Sequence, residues 1–256
     1  HKDRANKSLD VRSDEHLLDC IENLHDSYVK AKSDVTKKKF YNNKIDTFKL
    51  TFDSEFNELD EKAILKSEMI RQIDKSINNS IGTFHEQILG GIDGYETGVL
   101  TGYDVKANDN TLFAEVKNKH NTMSSSAAEA AFQRLARFAD DYKKANCYLV
   151  QILAKKSFNE KWEAIINGKE YSHSRVCKIS GDQFYFLLTG KKTAFFDLYQ
   201  VLPIAIKCFL SDLEKQEETE NSAISEIESQ TEKGGRSMFD EITFENYSYY
   251  LGFDKL

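Results

Sequence analysis

The stretch that decides the fold is Gly102 to Lys117, GYDVKANDNTLFAEVK. Two short runs, Thr101 to Ala107 and Leu112 to Lys117, flank Asn108, Asp109 and Asn110, whose short polar side chains tolerate turn conformations and mark a hairpin. In the second run Leu112, Ala114 and Val116 alternate with Phe113, Glu115 and Lys117, as a strand with two distinct faces requires. Glu115 and Lys117 therefore emerge on one face, and the hairpin partner brings Asp104 beside them. Two carboxylates crowded together repel, and a hard divalent cation such as Mg²⁺ relieves the repulsion by taking oxygen ligands while keeping several waters. The lysine is placed to orient or deprotonate a water for attack on phosphorus, with its charge set against the negative charge that develops there. Charge on the inner face of an otherwise apolar strand needs such a reason, because an unpaired buried charge is costly.

Outward from the hairpin the chain reads as an α/β core. After Ser124, Ser125 and Ser126, the residues Ala128, Ala131, Phe132, Leu135, Phe138, Ala139 and Tyr142 mark one face of a helix of about five turns. Ser124 or Ser125 suits its N-cap. Gln133, Arg134, Arg137 and Asp141 fall on the other face. Cys147 to Leu153, CYLVQIL, is a nearly continuous apolar run and predicts a strand buried on both sides. On the N-terminal side, IGTFHEQILGGIDGYETG from Ile81 packs in five glycines, ends the helical pattern after Leu89 and opens a new subdomain. Gly90, Gly91 and Gly94 read as a tight turn before they read as a phosphate cradle. From Ser13 to Asn79 there is no Gly or Pro. Leu17, Leu18, Ile21 and Leu24, then Ile64, Leu65, Met69, Ile73 and Ile77, recur at helical spacing. Between them, Phe40 to Phe56 is compatible with a strand or with a helix junction.

Further on, Ser180 to Thr189 and Ala194 to Leu213 predict helices, the second kinked by Pro203, the only proline. Residues 214–235 are acidic and polar, a solvated helix or a linker, and the aromatic-rich segment that follows must pack on something. The expected divisions are 1–80, a mainly helical region; 81–210, the core and its following helices; and 211–256, an acidic linker with an aromatic tail.

Composition sets outer limits. The chain has 256 residues, 40% of them hydrophobic and 30% charged, enough for a sizeable core, which excludes a disordered chain or a disulfide miniprotein. The net charge of −7 divides unevenly, −1 over residues 1–80, +2 over 81–210 and −8 over 211–256. Net charge therefore does not decide against a nucleic-acid partner. Nothing approaches the roughly 18 consecutive apolar residues of a membrane helix, and the charged His1 to Arg12 is not a signal peptide. The expectation is a soluble, cytoplasmic protein with no membrane partner. Cys20, Cys147, Cys177 and Cys208 form no CxxC pair and are expected to be buried reduced thiols. No P-loop or dinucleotide fingerprint is present.

Asp104, ten intervening residues, then Glu115-Val116-Lys117 resembles the PD-(D/E)XK nuclease core, with Gly102-Tyr103-Asp104 where the family often has Pro-Asp. The wider run FHEQILGGIDGY, GYDV, EVKNKHNTMSSS and LLTGKKTAFFDLYQVLPIAI resembles, more narrowly, type II restriction endonucleases that recognise the interrupted palindrome GGNCC. The resemblance covers about residues 80–210. It implies a mixed central sheet flanked by helices, with an N-terminal helical region and a C-terminal helical extension. It further implies Mg²⁺-dependent hydrolysis of double-stranded DNA by Asp104, Glu115, Lys117 and Glu86, with Asp104, Glu115, Val116 and Glu86 at the metal. Two-fold DNA symmetry implies a homodimer, and a cognate methyltransferase would act on the same site without needing to bind this chain. Other nucleases of the same core, in repair or mobile elements, and a non-catalytic DNA-binding module are the alternatives. Intact Asp104, Glu115 and Lys117 argue against the last.

Residues around the strand are candidates for DNA contact. Asn118, Lys119, His120 and Asn121 follow it at once; Lys and His suit phosphate, while Asn suits an adenine edge or a helix cap. Ser124 and Ser125 suit a phosphate at a helix N-terminus or simple capping. Gln133, Arg134 and Arg137 offer guanine-reading chemistry or a merely solvated helix face.

Overall fold

A computed structural model describes residues 13–42, 44–98, 101–121 and 123–213; the acidic and aromatic C-terminal segment lies outside them. The chain divides into two units. One holds the described residues up to Leu24 and from Ser80 onward, the other His25–Asn79. The division falls within two helices, α1 (Ser13–Ser33) and α4 (Glu61–Gly90).

The first unit is built on a six-stranded mixed sheet in the order β1-β2-β3-β4-β8-β5. Its strands are β1 (Tyr95–Thr97), β2 (Val105–Ala107), β3 (Leu112–Lys119), β4 (Asn146–Leu153), β5 (Asn159–Lys161) and β8 (Val176–Ser180). A separate hairpin pairs β6 (Ala164–Ile166) with β7 (Lys169–Tyr171). The expected hairpin is present as β2 and β3, antiparallel with Val105 opposite Ala114. Its turn has Asn110 in the left-handed region, and Asp109 accepts hydrogen bonds from the backbone and hydroxyl of Thr111. β2 is shorter than expected: it starts at Val105, and Thr101 to Asp104 form a bend outside the ladder.

α5 (Ser125–Asp141) carries the chain from β3 to the parallel strand β4. It buries Ala131, Phe132, Leu135 and Ala139 at helical spacing against Phe113, Cys147, Leu149, Trp162 and Val176. Phe113 stacks on Phe138 with ring centroids 4.6 Å apart. The opposite sheet face, with Ala114, Val116, Tyr148 and Val150, packs against the end of α4, the start of α1, α6 (Gly181–Thr189) and α7 (Ala194–Asp212). β3 and β4 are covered on both faces, which is why β4 reads as a continuous apolar run.

Several elements differ from the sequence reading. α4 ends at Gly90, one residue past the expected end of the helical pattern at Leu89. Ser180 ends β8 and is the N-cap residue of α6, so the helix begins one residue later than expected. β1 and β5 to β8 had no sequence signal: β5 is an exposed edge of three polar residues, too short for a period to register. Pro203 lies within α7, which continues beyond it to Asp212. Cys20 and Cys147 are buried as expected, but Cys177 is half-buried and Cys208 exposed; all four are free thiols. Among the described residues α7 is the one helix long and apolar enough to cross a membrane, by length and composition only. It buries Ala194 and Leu198 in the core and leaves Phe196, Tyr199, Ile204 and Leu210 exposed.

The second unit is helical. The stretch left open between strand and helix junction forms α2 (Lys37–Asn42) and α3 (Thr47–Asn57), the latter capped by Asp46, whose carboxylate accepts from the Lys49 amide at 3.1 Å. Phe40, Ile45, Leu50, Ile64, Leu65 and Met69 form its core.

Gly98 fixes the bend that precedes Asp104. Its amide donates to the Asp104 carbonyl at 3.0 Å, and a Cβ there would stand 2.3 Å from the Tyr103 carbonyl oxygen. Gly98→Ala should therefore destabilise the chain by about 1–3 kcal/mol, the scale of overpacking a fitted site. Gly82→Ala, in a helix interior with nothing near the added methyl, should stabilise it by about 0.5–1 kcal/mol. Denaturant titration of both variants checks the pair; a neutral Gly98→Ala would contradict the packing assigned to this bend.

Candidate active site

Asp104, Glu115 and Lys117 come together at the junction of β2 and β3. Asp104 is held from both sides. Its amide donates to the Ala114 carbonyl at 2.8 Å, and its carboxylate Oδ2 accepts from the Val116 amide at 2.6 Å. The neighbouring Tyr103 ring packs on Phe113 and Phe138, with centroids 5.5 and 5.7 Å away, so an aromatic trio anchors the bend to β3 and α5. Tyr103 thus positions the loop by packing, at the place where the resemblance expects proline.

Glu115 is buried, 7% exposed, on the sheet face that α5 covers. A charge there must be paired, and it is paired twice. Oε1 accepts from Lys117 Nζ at 2.8 Å and from Arg134 Nη2 of α5 at 2.9 Å. Arg134 is one helical turn before Phe138, so the stacking that seats α5 also aims the guanidinium at β3. Glu86, near the end of α4, is in electrostatic reach of all three: burial first, then the Asp104 and Glu115 carboxylates, push its carboxyl up to about 7 against the opposing pull of Lys117. Asp104 is likewise raised, chiefly by burial, with the Val116 amide working the other way.

Among the described residues no group of three or more His, Cys, Asp or Glu is arranged to hold a metal ion. The donor set nonetheless fits a hard divalent cation that needs only one or two carboxylates and keeps its waters. Asp104 and Glu115 provide hard oxygens, Glu86 stands in reserve, and Lys117 and Arg134 already supply positive charge to Glu115. Val116 takes part here through its amide on Asp104, while its side chain is buried in the opposite core.

Several of the remaining candidate residues have other partners. Asn118 is half-buried, and Lys119, His120 and Asn121 are exposed at the end of β3. The His120 amide donates to the Leu153 carbonyl at 3.1 Å, and its Nδ1 lies 3.2 Å from the same oxygen. Ser124 caps α5, its side chain accepting from the Ala127 amide at 3.3 Å, with Ser125 and Ser126 exposed in the first turn. Gln133 donates to Glu129 at 3.3 Å. Arg137 is exposed and lies over the Phe138 ring. Of Gln133, Arg134 and Arg137 on α5, only Arg134 is seen to pair with the carboxylate cluster. Gln151 was missed: it is buried in β4 in register with Lys117, on the same sheet face. Its signal was available as the lone polar residue in CYLVQIL.

Glu86 gives a pH signature. Its folded-state value lies above the ordinary 4.5, so between pH 4.5 and about 7 the folded chain holds a proton that the unfolded chain has released. Stability should fall as pH rises through that window. Glu86→Gln should flatten this fall and raise the unfolding midpoint above pH 7 relative to wild type. Thermal unfolding from pH 5 to 8 checks it, and parallel curves for the two proteins would remove Glu86 from the cluster.

The Eco47II restriction endonuclease family model matches residues 9–211. The chain is 40% identical over 261 residues to the type II restriction enzyme Sau96I of Staphylococcus aureus, covering 97% of this chain and 100% of that protein. It is also 31% identical over 215 residues to the type II restriction enzyme Eco47II of Escherichia coli, covering 80% and 89% of the two. With a mixed sheet flanked by helices and carboxylates gathered on its hairpin, this chain belongs to the Eco47II restriction endonuclease family.

Proposed function

We propose that this chain is a Mg²⁺-dependent type II restriction endonuclease that hydrolyses both strands of double-stranded DNA at a short palindrome, GGNCC by resemblance. The observation that carries the reading is the convergence of Asp104, Glu115 and Lys117 at the junction of β2 and β3. Asp104, Glu115 and Glu86 are the residues that would hold the metal, with Val116 keeping Asp104 in place. When bound, a divalent cation supplies Lewis-acid stabilisation of the phosphate and lowers the pKa of water. Lys117, held by Glu115, positions the attacking water and sets its charge against the negative charge that builds on phosphorus. Burial of Glu115 strengthens its interactions with Lys117 and Arg134.

The exposed run from Lys119 to Asn121 follows Asn118 at the end of β3 and precedes in sequence the N-cap Ser124 and first-turn Ser125 of α5. These residues are suited to the phosphate backbone, and the exposed Gln133 and Arg137 to base edges or phosphate. Cutting two strands of a palindrome asks for two catalytic clusters, hence a homodimer. The exposed apolar residues of α7 are chemically suited to meet a second copy. A methyltransferase protecting the same site need not touch the chain. The protein would act in the cytoplasm, where the DNA is.

A plasmid digest with and without Mg²⁺, followed by sequencing of the cut ends, tests the proposal. Wild type should cut at one sequence only, and chelation should abolish cutting. Lys117→Ala should slow cleavage by about 100-fold or more while holding cognate DNA within a few-fold, because phosphate contacts elsewhere dominate affinity. Near wild-type cutting by Lys117→Ala would overturn the site; sequence-independent fragments would overturn the site-specific reading.

A further inference from the structure

We propose that Arg134 is a metal-released phosphate clamp: it holds Glu115 while no divalent cation is bound, and turns to the scissile phosphodiester once one is. The proposal rests on the metal-dependent reading above and assigns a residue and a sequence of events to it.

The geometry states the competition. Glu115 is buried and carries one negative charge, yet two cations, Lys117 Nζ at 2.8 Å and Arg134 Nη2 at 2.9 Å, share its Oε1. A divalent cation ligated through either oxygen of this carboxylate brings two positive charges next to both. It also takes up the negative charge that drew them there, which weakens both contacts and favours opening the looser one. The two cations are not equally free to go. Lys117 is two residues along the same strand, its side chain 31% exposed. Arg134 reaches over from a separate element, α5, and its side chain is 37% exposed. Arg134 is therefore the group that leaves.

The same geometry limits where it goes. The arginine stem lies against the Asp104 bend, its Cδ 3.9 Å from where a Cβ on Gly102 would stand, and Gly102 itself has no side chain to block it. Its Cα is fixed by the Phe113–Phe138 stack one turn on. A guanidinium released from Glu115 thus remains at the mouth of the carboxylate cluster. A planar fork of N–H donors matches two non-bridging phosphate oxygens, which the ammonium of lysine cannot do. Before the metal arrives, the paired charges of Asp104, Glu115, Lys117 and Arg134 offer a phosphodiester little attraction. After it arrives the site is positive, and the freed arginine supplies a directional contact. DNA affinity at the cut site is in this way made conditional on metal.

Calcium, which occupies magnesium-type oxygen sites, is the probe. Calorimetric titration of Ca²⁺ into the free protein should show Arg134→Ala binding roughly two- to fivefold tighter than wild type, the scale of one half-exposed ion pair removed from competition. Cognate duplex binding should change in the opposite sense. Without metal, Arg134→Ala should match wild type, because the arginine is occupied by Glu115; with Ca²⁺ present, the gain in affinity that wild type shows should be largely lost. Arg134→Lys should restore wild-type Ca²⁺ affinity without restoring that gain. Equal weakening of duplex binding with and without Ca²⁺ would make Arg134 an ordinary phosphate contact and overturn the proposal. So would unchanged or weaker Ca²⁺ binding by Arg134→Ala. A wild-type protein that takes up no Ca²⁺ or Mg²⁺ would overturn the metal-dependent reading itself, and this proposal with it.

Discussion

A buried carboxylate sets the terms for the rest of this structure. Glu115 has almost no access to water, so its charge has to be answered by the protein, and Lys117 and Arg134 answer it on one oxygen. That requirement ties β3 to α5 through polar contact where the Phe113–Phe138 stack already ties them through packing. The two kinds of contact are mutually supporting: the stack fixes the helix, and the fixed helix delivers the guanidinium. An apolar residue at position 115 would satisfy packing alone. Under the proposed reading the charge is there for its chemistry.

The second carboxylate is held differently. Asp104 lies outside the ladder, in a bend whose shape is set by Gly98, the Tyr103 ring and two backbone hydrogen bonds. Its carboxylate caps the Val116 amide, so the peptide between Glu115 and Lys117 is also the anchor of Asp104. One strand therefore supplies a carboxylate, an ammonium and the hydrogen bond that orients the other carboxylate. Glu86 approaches from α4, its carboxyl raised first by burial and then by the Asp104 and Glu115 carboxylates.

Much of this was legible in the sequence, for local reasons. The apolar run of β3 and β4, the Asn-Asp-Asn turn and the one-sided pattern of α5 are signals carried by neighbouring residues. The placement of Asp104 beside Glu115 and Lys117 follows from hairpin geometry. The bend in place of a longer β2 was not legible, because Tyr103 is positioned by rings at residues 113 and 138, far along the chain. β5 to β7 are three-residue strands with exposed positions, below the length at which periodicity means anything. The helices α2 and α3 were obscured by aromatic residues with strand propensity, of which Phe48, Phe52 and Phe56 are exposed along one helix. Arg134 read as part of a polar helix face, and only the docking of α5 on β3 shows that one member of that face points inward. Gln151 looked like an interruption in an apolar strand, and the β3–β4 register sets it beside Lys117.

Under the proposed reading Asp104 and Glu115 form one divalent-metal site, and filling it opens the Glu115–Arg134 contact. The most direct measurement is an anomalous difference map from crystals of the protein with Mn²⁺ and a duplex containing the cut site. The account predicts a peak in contact with both carboxylates, and Arg134 withdrawn from Glu115 Oε1 toward a phosphate oxygen. A peak elsewhere, or a filled site with the Glu115–Arg134 ion pair intact, would contradict it.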